Sequence, residues 1–296
     1  MEGEAMIVEV VGKPLGTVVI LLSLLITASH RDSPPPVDTS LALSRCVLGR
    51  PPVARWSLPD RYREVSGLAA FGDSAVLIHG DERARVGVFD LVRAEVTREF
   101  QPVKTLTEDF EGIALVDDGI ALMTSDGRLF LAIRFDSVPP DFEETNTGFS
   151  RFCELEGLAW EPGSRVLLFP CKTPKDSRLV DALVVFRWSL DDDAPADPTR
   201  LMVLPPALRR AVGTTLFRAT AIDVDPVTRH LLVLSSAPVV VVELDLEGHV
   251  LGSARLDRNR HPRPEGIAVV GKLLLIADEG VVGDTRGTIT AYACSS

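Results

Sequence analysis

The sequence predicts an all-β fold, a β-propeller of five four-stranded blades closed by strands from both termini, and three observations carry that prediction. The first is a repeat. Ser66-Gly67-Leu68-Ala69, Glu111-Gly112-Ile113-Ala114, Glu156-Gly157-Leu158-Ala159 and Glu265-Gly266-Ile267-Ala268 share one pattern, and the first three glycines stand 45 residues apart. The gap before Gly266 holds a degenerate copy, Thr220-Ala221-Ile222-Asp223, so one repeat carries an insertion and the others keep register. Repeats of this length are supersecondary units that bury their apolar faces only by stacking on neighbours. The second observation is the pattern inside one repeat. Short apolar runs rich in Val, Ile, Leu and Phe alternate with Gly-Asp, Asp-Asp-Gly and Glu-Pro-Gly-Ser punctuation, which reads as strands and hairpins rather than helices. Four strands in about 40–45 residues is the size of one propeller blade. The third is a shortfall at the end of the chain: the unit that starts at Gly266 has too few residues for four strands, and Val53 to Leu58 offers the missing one.

Taken in order, the chain opens with an apolar stretch, Leu15 to Ala28, preceded by Lys13 and followed by His30 and Arg31. Its length suits a secretory h-region better than a full membrane span. Residues 1–28 are therefore expected to be a signal peptide or a membrane anchor, although Glu2, Glu4 and Glu9 make a poor lead-in and favour a start as far in as Met6. Residues 29–50, with Pro34-Pro35-Pro36, read as a Pro-rich tether. The propeller is expected over residues 51–296. In its first repeat the strands are Leu68 to Phe71, Ala75 to Ile78, Val86 to Leu91 and Glu95 to Phe100. The insertion between Asp191 and Thr215 is the place where a sixth blade would lie if six rather than five are present. The run Asp191-Asp192-Asp193 lacks the glycine and terminal glutamate of a calcium loop and is read as a turn.

Composition bounds the function. The chain has 296 residues, 46% of them hydrophobic, and a formal net charge of −11. That balance argues against nucleic acid, which needs clustered Lys and Arg, and is consistent with binding cations. Cys153 and Cys171 flank the hairpin at Pro162-Gly163, where residues whose numbers sum to about 325 are expected to face one another, so they are placed to pair. Cys46 and Cys294 come from the two ends that the closing blade brings together. Two disulfides and an export leader put the chain in the periplasm or cell envelope, held at the inner membrane if the leader is kept.

In a blade the first strand lines the central channel and the second runs back, so the start of one and the end of the other share a face. The repeat starts supply Ser66, Glu111, Glu156, Thr220 and Glu265, while the second strands end at His79, Asp81, Lys172, Ser235, Asp278 and Glu279, among others. Three glutamates around one mouth repel unless a cation or hydrogen-bond donors compensate, and an oxygen-only set suits Ca²⁺. Glu111, Glu156 and Glu265 are the expected metal ligands. Ser66, Asp81, Lys172, Thr220 and Asp278 are the expected ligand-binding residues, and His79, His261 and Lys172 are the candidates for acid–base work. A purely structural reading has the glycines serving tight strand starts and the glutamates capping neighbouring amides. No Gly-x-Ser-x-Gly, His-Glu-x-x-His, Cys-x-x-Cys or P-loop is present.

The series VSGLAA, DFEGIALVDDGIALMTSDG, LEGLAWEPGSRVLLFPCKTP, DVDPVTRHLLVLSSAPVVVVELDLEGHVL and RPEGIAVVGKLLLIADEG resembles the SdiA-regulated family of exported bacterial β-propellers from about Ser66 onward. The third block is its most specific part, with Glu156, Lys172 and Pro174 in the family's places; Thr220-Ala221 and Ala277-Asp278-Glu279-Gly280 depart from the pattern. More remotely, the Glu-Gly strand start is similar to the metal-binding strand of regucalcin and gluconolactonase propellers and to phytase-like esterase propellers. The resemblance implies the fold and leaves the activity open. Two functions follow: an exported or tethered binding module for a small molecule or protein, with a cation in its channel, or a Ca²⁺-assisted hydrolase of an ester, lactone or phosphoester. The first ranks ahead because no residue declares itself a nucleophile.

Overall fold

The computed structural model describes residues 41–295 apart from 47, 135–139, 282 and 284. A short helix α1 (Ala42–Arg45) and strand β1 (Ala54–Ser57) precede the first blade, which is β2 (Val65–Phe71), β3 (Ala75–Gly80), β4 (Val86–Asp90) and β5 (Glu95–Phe100). Blade 2 is β6 (Phe110–Val116), β7 (Gly119–Thr124), β8 (Arg128–Ala132) and β9 (Glu143–Asn146). Blade 3 has a broken inner strand, β10 (Cys153–Leu155) and β11 (Ala159–Glu161), followed by β12 (Val166–Pro174), β13 (Leu183–Ser189) and β14 (Ala194–Val203). After helix α2 (Pro205–Val212), blade 4 is β15 (Arg218–Val224), β16 (Leu231–Ala237), β17 (Val239–Leu244) and β18 (Val250–Arg255). Strands β19 (Pro264–Val270), β20 (Leu273–Asp278) and β21 (Thr288–Ala293) complete the set.

Each blade is an antiparallel sheet, and the last has the order β1-β21-β20-β19. Strand β1 pairs with β21 from Ala54↔Ala291 to Ser57↔Thr288, so the chain's first strand is the outer strand of its last blade and joins the two ends of the chain in one sheet. The inner strands touch in ring order, β2 with β6, β6 with β11, β11 with β15, β15 with β19 and β19 with β2. Five blades are therefore present. The insertion between Asp191 and Thr215 holds no sixth blade: it supplies the outer strand of blade 3 and α2, which begins on Pro205-Pro206 and stops at Gly213 in a left-handed conformation.

The core is divided among the blade interfaces. Five buried apolar clusters each join neighbouring blades: Phe110 with Leu77, Phe149 with Met123, Phe217 with Leu168, Ile276 with Leu234 and Tyr62 with Ala277. Continuous apolar runs such as Val239 to Leu244, buried along their whole length, are what a strand packed on both faces requires.

Both expected disulfides form, Cys46–Cys294 and Cys153–Cys171, and no described cysteine is free. Two disulfides indicate an oxidising, non-cytoplasmic location. The register of the second pair differs from expectation. Leu155, not Cys153, stands opposite Cys171, and Cys153 faces Pro174. A register shift between Glu154 and Leu155 draws the diagonal pair together, to a Cα–Cα distance of 5.7 Å.

Residues 1–28 and most of the expected tether lie outside the described residues. Its last part is not a tether: Ala42, Cys46 and Leu48 are buried against blades 4 and 5. The backbone N–H groups of Ala42 and Leu43 donate to the two oxygens of buried Glu243 at 2.7 and 2.9 Å, and Arg45 bonds Asp225. Among the described residues no helix is long and apolar enough to cross a membrane.

Candidate functional site

A shared backbone device positions the repeat-start side chains. Pairing between the first two strands skips one residue in four blades: Ser66 between Val65 and Gly67, Glu111 between Phe110 and Gly112, Thr220 between Ala219 and Ala221, and Glu265 between Pro264 and Gly266. In blade 3 the three residues 156–158 oppose the two residues 169–170. Each repeat start is thus the extra residue of a bulge, which frees its side chain from the regular alternation. The glycine that follows lets inner strands approach. A Cβ on Gly112 would lie 2.7 Å from the Leu158 backbone nitrogen, and one on Gly157 would lie 2.8 Å from the Ala221 Cα. Gly157 has φ +88°, and its N–H donates to the Glu111 carbonyl at 2.6 Å.

Three of the five bulges bring an acid to a common cluster. Lys172, near the end of β12, pairs with Glu156, whose side chain is 2% exposed against 26% for the lysine. Glu156 also contacts the Glu265 carboxyl, and burial raises both acids above the usual glutamate range despite Lys172, with the carboxyl–carboxyl contact adding to the rise of Glu156 and opposing that of Glu265. Glu111 is pushed up to about 9, by burial first and then by Glu156 and Asp109. Asp81 is raised to about 6 by burial and Glu64, and Glu279 is raised mainly by burial. Burial works against the Lys172 ammonium, yet Glu156, Glu265 and Glu111 hold it above the usual lysine value. The carboxyls outnumber their one lysine. Glu156 Oε1 and Glu265 Oε2 are buried, and no N–H or hydroxyl group among the described residues donates to them.

One pH dependence follows. Glu111 ionises near 4.5 when unfolded but holds its proton to about 9 in the folded chain. Its contribution to stability is complete below pH 4.5 and is lost as the pH rises toward 9, at up to about 1.4 kcal/mol per pH unit. Thermal melts between pH 5 and 9 should show stability falling in the wild type and a flatter profile in Glu111→Gln, and equal slopes would remove Glu111 as the source.

The remaining expected residues divide differently from the sequence reading. Ser66 is nearly buried and its hydroxyl donates to the Glu64 carbonyl at 3.3 Å. The Thr220 hydroxyl is fully buried and donates to the Pro264 carbonyl at 2.6 Å, so blade 4 gives the mouth a blade-to-blade bond in place of an acid. His261 is fully buried, with Nδ1 2.7 Å from Asp278 Oδ2 and Nε2 2.7 Å from Tyr292 Oη. Both side chains are thus buried and partnered within the blade, away from solvent. His79 is also fully buried, bonds the Gly80 carbonyl through Nδ1, and is lowered to about 4 by burial. It is neutral and shut away beneath Gly67. Asp109 and Glu64 join the cluster unforeseen; the signal was an acid two residues before the repeat start, seen at Glu64, Asp109 and Glu154.

Among the described residues, the one group of three metal-ligating side chains whose ligand atoms lie within 4.8 Å of one another is Asp245, Glu247 and His249. It is a turn between β17 and β18 closed on itself, with Asp245 accepting from the His249 and Glu247 backbone and from the His249 ring.

Comparison with known proteins gives the same architecture. The glutaminyl cyclase of Myxococcus xanthus is similar at a TM-score of 0.55 and 15% identity, over 83% of this chain and 97% of that one. A chain of the nidogen/laminin complex is similar at a TM-score of 0.42 and 16% identity, over 72% of each chain. At such identities the likeness to the cyclase shows the fold alone. No curated protein matches the chain. The profile of the SdiA-regulated family matches residues 95–276. That span exceeds half of the chain and includes Glu111, Glu156, Lys172 and Glu265, and the chain belongs to the SdiA-regulated family.

Proposed function

We propose that the chain is a binding module, exported to or tethered in an oxidising compartment, that accepts cationic ligands at the mouth of its central channel. The observation that carries this reading is the imbalance at the mouth: Glu111, Glu156 and Glu265 face one lysine, and two of their buried oxygens receive no N–H or hydroxyl donor among the described residues. A buried acceptor without a partner costs about 1–3 kcal/mol. The blade 4 equivalent, Thr220, avoids that cost through Pro264, so three acids kept at the other bulges fit a site completed by a ligand. The net charge of −11 adds long-range attraction for cations.

Metal-assisted hydrolysis has less support. It needs a base beside an open position, and His79 and His261 are both buried.

The test is thermal melting of the oxidised chain with chelator, then with Ca²⁺, Mg²⁺, Mn²⁺ and organic amines, in wild type and Glu156→Gln. A cation-dependent rise of several degrees that shrinks in the variant is expected. No rise with any cation in the wild type, or an undiminished rise in a variant that still folds, would overturn the reading.

A further inference from the structure

We propose that the outer edge of blade 4 docks on an anionic lipid surface, at a place separate from the channel mouth. Helix α2 lies along the outer strand β18: the Ser253 hydroxyl donates to the Ala211 carbonyl at 2.7 Å, and Arg255 donates to the Val212 carbonyl at 2.6 Å. Leu208 and Val212 of the helix are buried in the core between blades 3 and 4. Beside it, between the end of β14 and the start of β18, runs an open groove of about 610 Å³ lined by Met202, Leu204, Ala207, Ala211, Val250 and Leu251, with Arg210 among its polar neighbours and no acid. Met202, Leu204 and Leu216 are 37%, 55% and 57% exposed. Large apolar side chains exposed together and rimmed by polar groups mark a contact surface.

Two observations name the occupant. The first is charge. Residues 198–222 carry Arg200, Arg209, Arg210 and Arg218 and no acid, in a chain whose net charge is −11. Arg209, Arg210 and Arg218 are exposed, and Arg209 and Arg210 make no ion pair among the described residues. A chain this acidic is repelled by an anionic bilayer except where its surface is basic, so this face sets the side that approaches. Arginines at the edge of an apolar patch lay their stems along it and keep their heads at the phosphates. The second observation is where the described chain begins. Leu41 Cδ1 lies 3.8 Å from the place of a Cβ on Gly252, and Gly252 lines the same groove. The apolar stretch Leu15 to Ala28, the part of the sequence expected to enter lipid, is separated from Leu41 only by residues 29–40, which span about 40 Å at most.

The experiment mixes the oxidised full chain with phosphatidylcholine vesicles, with and without phosphatidylglycerol, that carry a doxyl-labelled lipid to quench any indole in contact with it. Leu204→Trp places a reporter at the groove, and Val92→Trp places one at an exposed turn of blade 1 as the control. On phosphatidylglycerol vesicles, quenching beyond that of the wild type should appear in Leu204→Trp and not in Val92→Trp. Adding Arg209→Gln and Arg210→Gln to the Leu204→Trp chain should lower the docking constant about 25-fold, about fivefold per arginine, and both side chains are exposed, so the fold should survive. Leu216→Ser, also at an exposed position, should lower it as well. Equal quenching at both reporters, or none at either in a chain that sediments with the vesicles, would leave the leader as the sole lipid contact and overturn the proposal. Quenching as strong on phosphatidylcholine alone, or unchanged without the two arginines, would overturn it too, and so would failure to sediment with either vesicle. The residues tested lie outside the channel cluster, so these outcomes are independent of cation binding.

Discussion

Converting Cys46 and Cys294 to serine is expected to destabilise the oxidised chain by about 5 kcal/mol, against about 3 kcal/mol for Cys153 and Cys171. The difference comes from loop length. The first bridge spans a sequence separation of 248 residues and the second 18, and the conformational entropy removed from the unfolded chain grows with the logarithm of that span. A second contribution adds to the first. Cys46 anchors α1, which docks through Glu243 and Arg45 onto blade 4 while the bridge itself holds the end of blade 5. Without the bridge, α1 is free to leave, and Glu243, fully buried and bonded to Ala42, Leu43 and His230, loses two of its donors. A buried carboxylate short of donors is costly. Urea unfolding of the two double variants under oxidising conditions reads the difference. A larger loss from the Cys153/Cys171 variant would mean that ring closure does not depend on the terminal clasp.

The repeat pattern was enough to count the blades and to close the ring, because a repeat start on a 45-residue pitch broken by one insertion, and four apolar runs per repeat, are properties of the chain itself. It also gathered Glu111, Glu156, Glu265 and Lys172 at one end, since strand direction alone decides which end of a blade a residue occupies. What it did not reveal is where each side chain points. Period-two alternation breaks at the bulges, and nothing in Thr220-Ala221 announces that the threonine hydroxyl turns to Pro264 of the next blade. His261 and Asp278 lie at the expected end, yet Tyr292 from the closing strand takes up the second histidine nitrogen. That partnership joins residues far apart in sequence, so no local pattern carries it. The cysteine register failed at the turn: the hairpin pairs Glu161 with Val166, two off the expected sum, and the extra residue near Glu156 is offset by unpaired Lys172, so Cys153 comes to face Pro174. The docking of α1 was hidden by composition, because a Pro-rich approach reads as a tether until a buried acid on another blade is known to receive its N–H groups.

Gly157→Ala is expected to cost about 3–5 kcal/mol and to disturb the channel site as well. Two effects combine at this position. An alanine at φ +88° is strained whatever surrounds it, and its methyl would lie 2.8 Å from the Ala221 Cα and 3.1 Å from the Ile222 nitrogen. These are backbone atoms of a neighbouring inner strand and have no rotamer to escape through. Gly72→Ala is the control. Its φ of +65° carries a similar backbone penalty, but a methyl there meets nothing within 4 Å, so about 1–2 kcal/mol is expected. The excess at Gly157 measures the contact between blades 3 and 4. Forcing those strands apart also strains the bond from the Gly157 N–H to the Glu111 carbonyl, which ties the backbones of two cluster acids together. Gly157→Ala should therefore lose cation response beyond its loss of stability, while Gly72→Ala keeps the full response. Equal stability losses in the two variants would make Gly157 a turn residue only, and the glycine that follows each repeat start would then owe its place to backbone conformation, not to how closely the blades must approach around the channel.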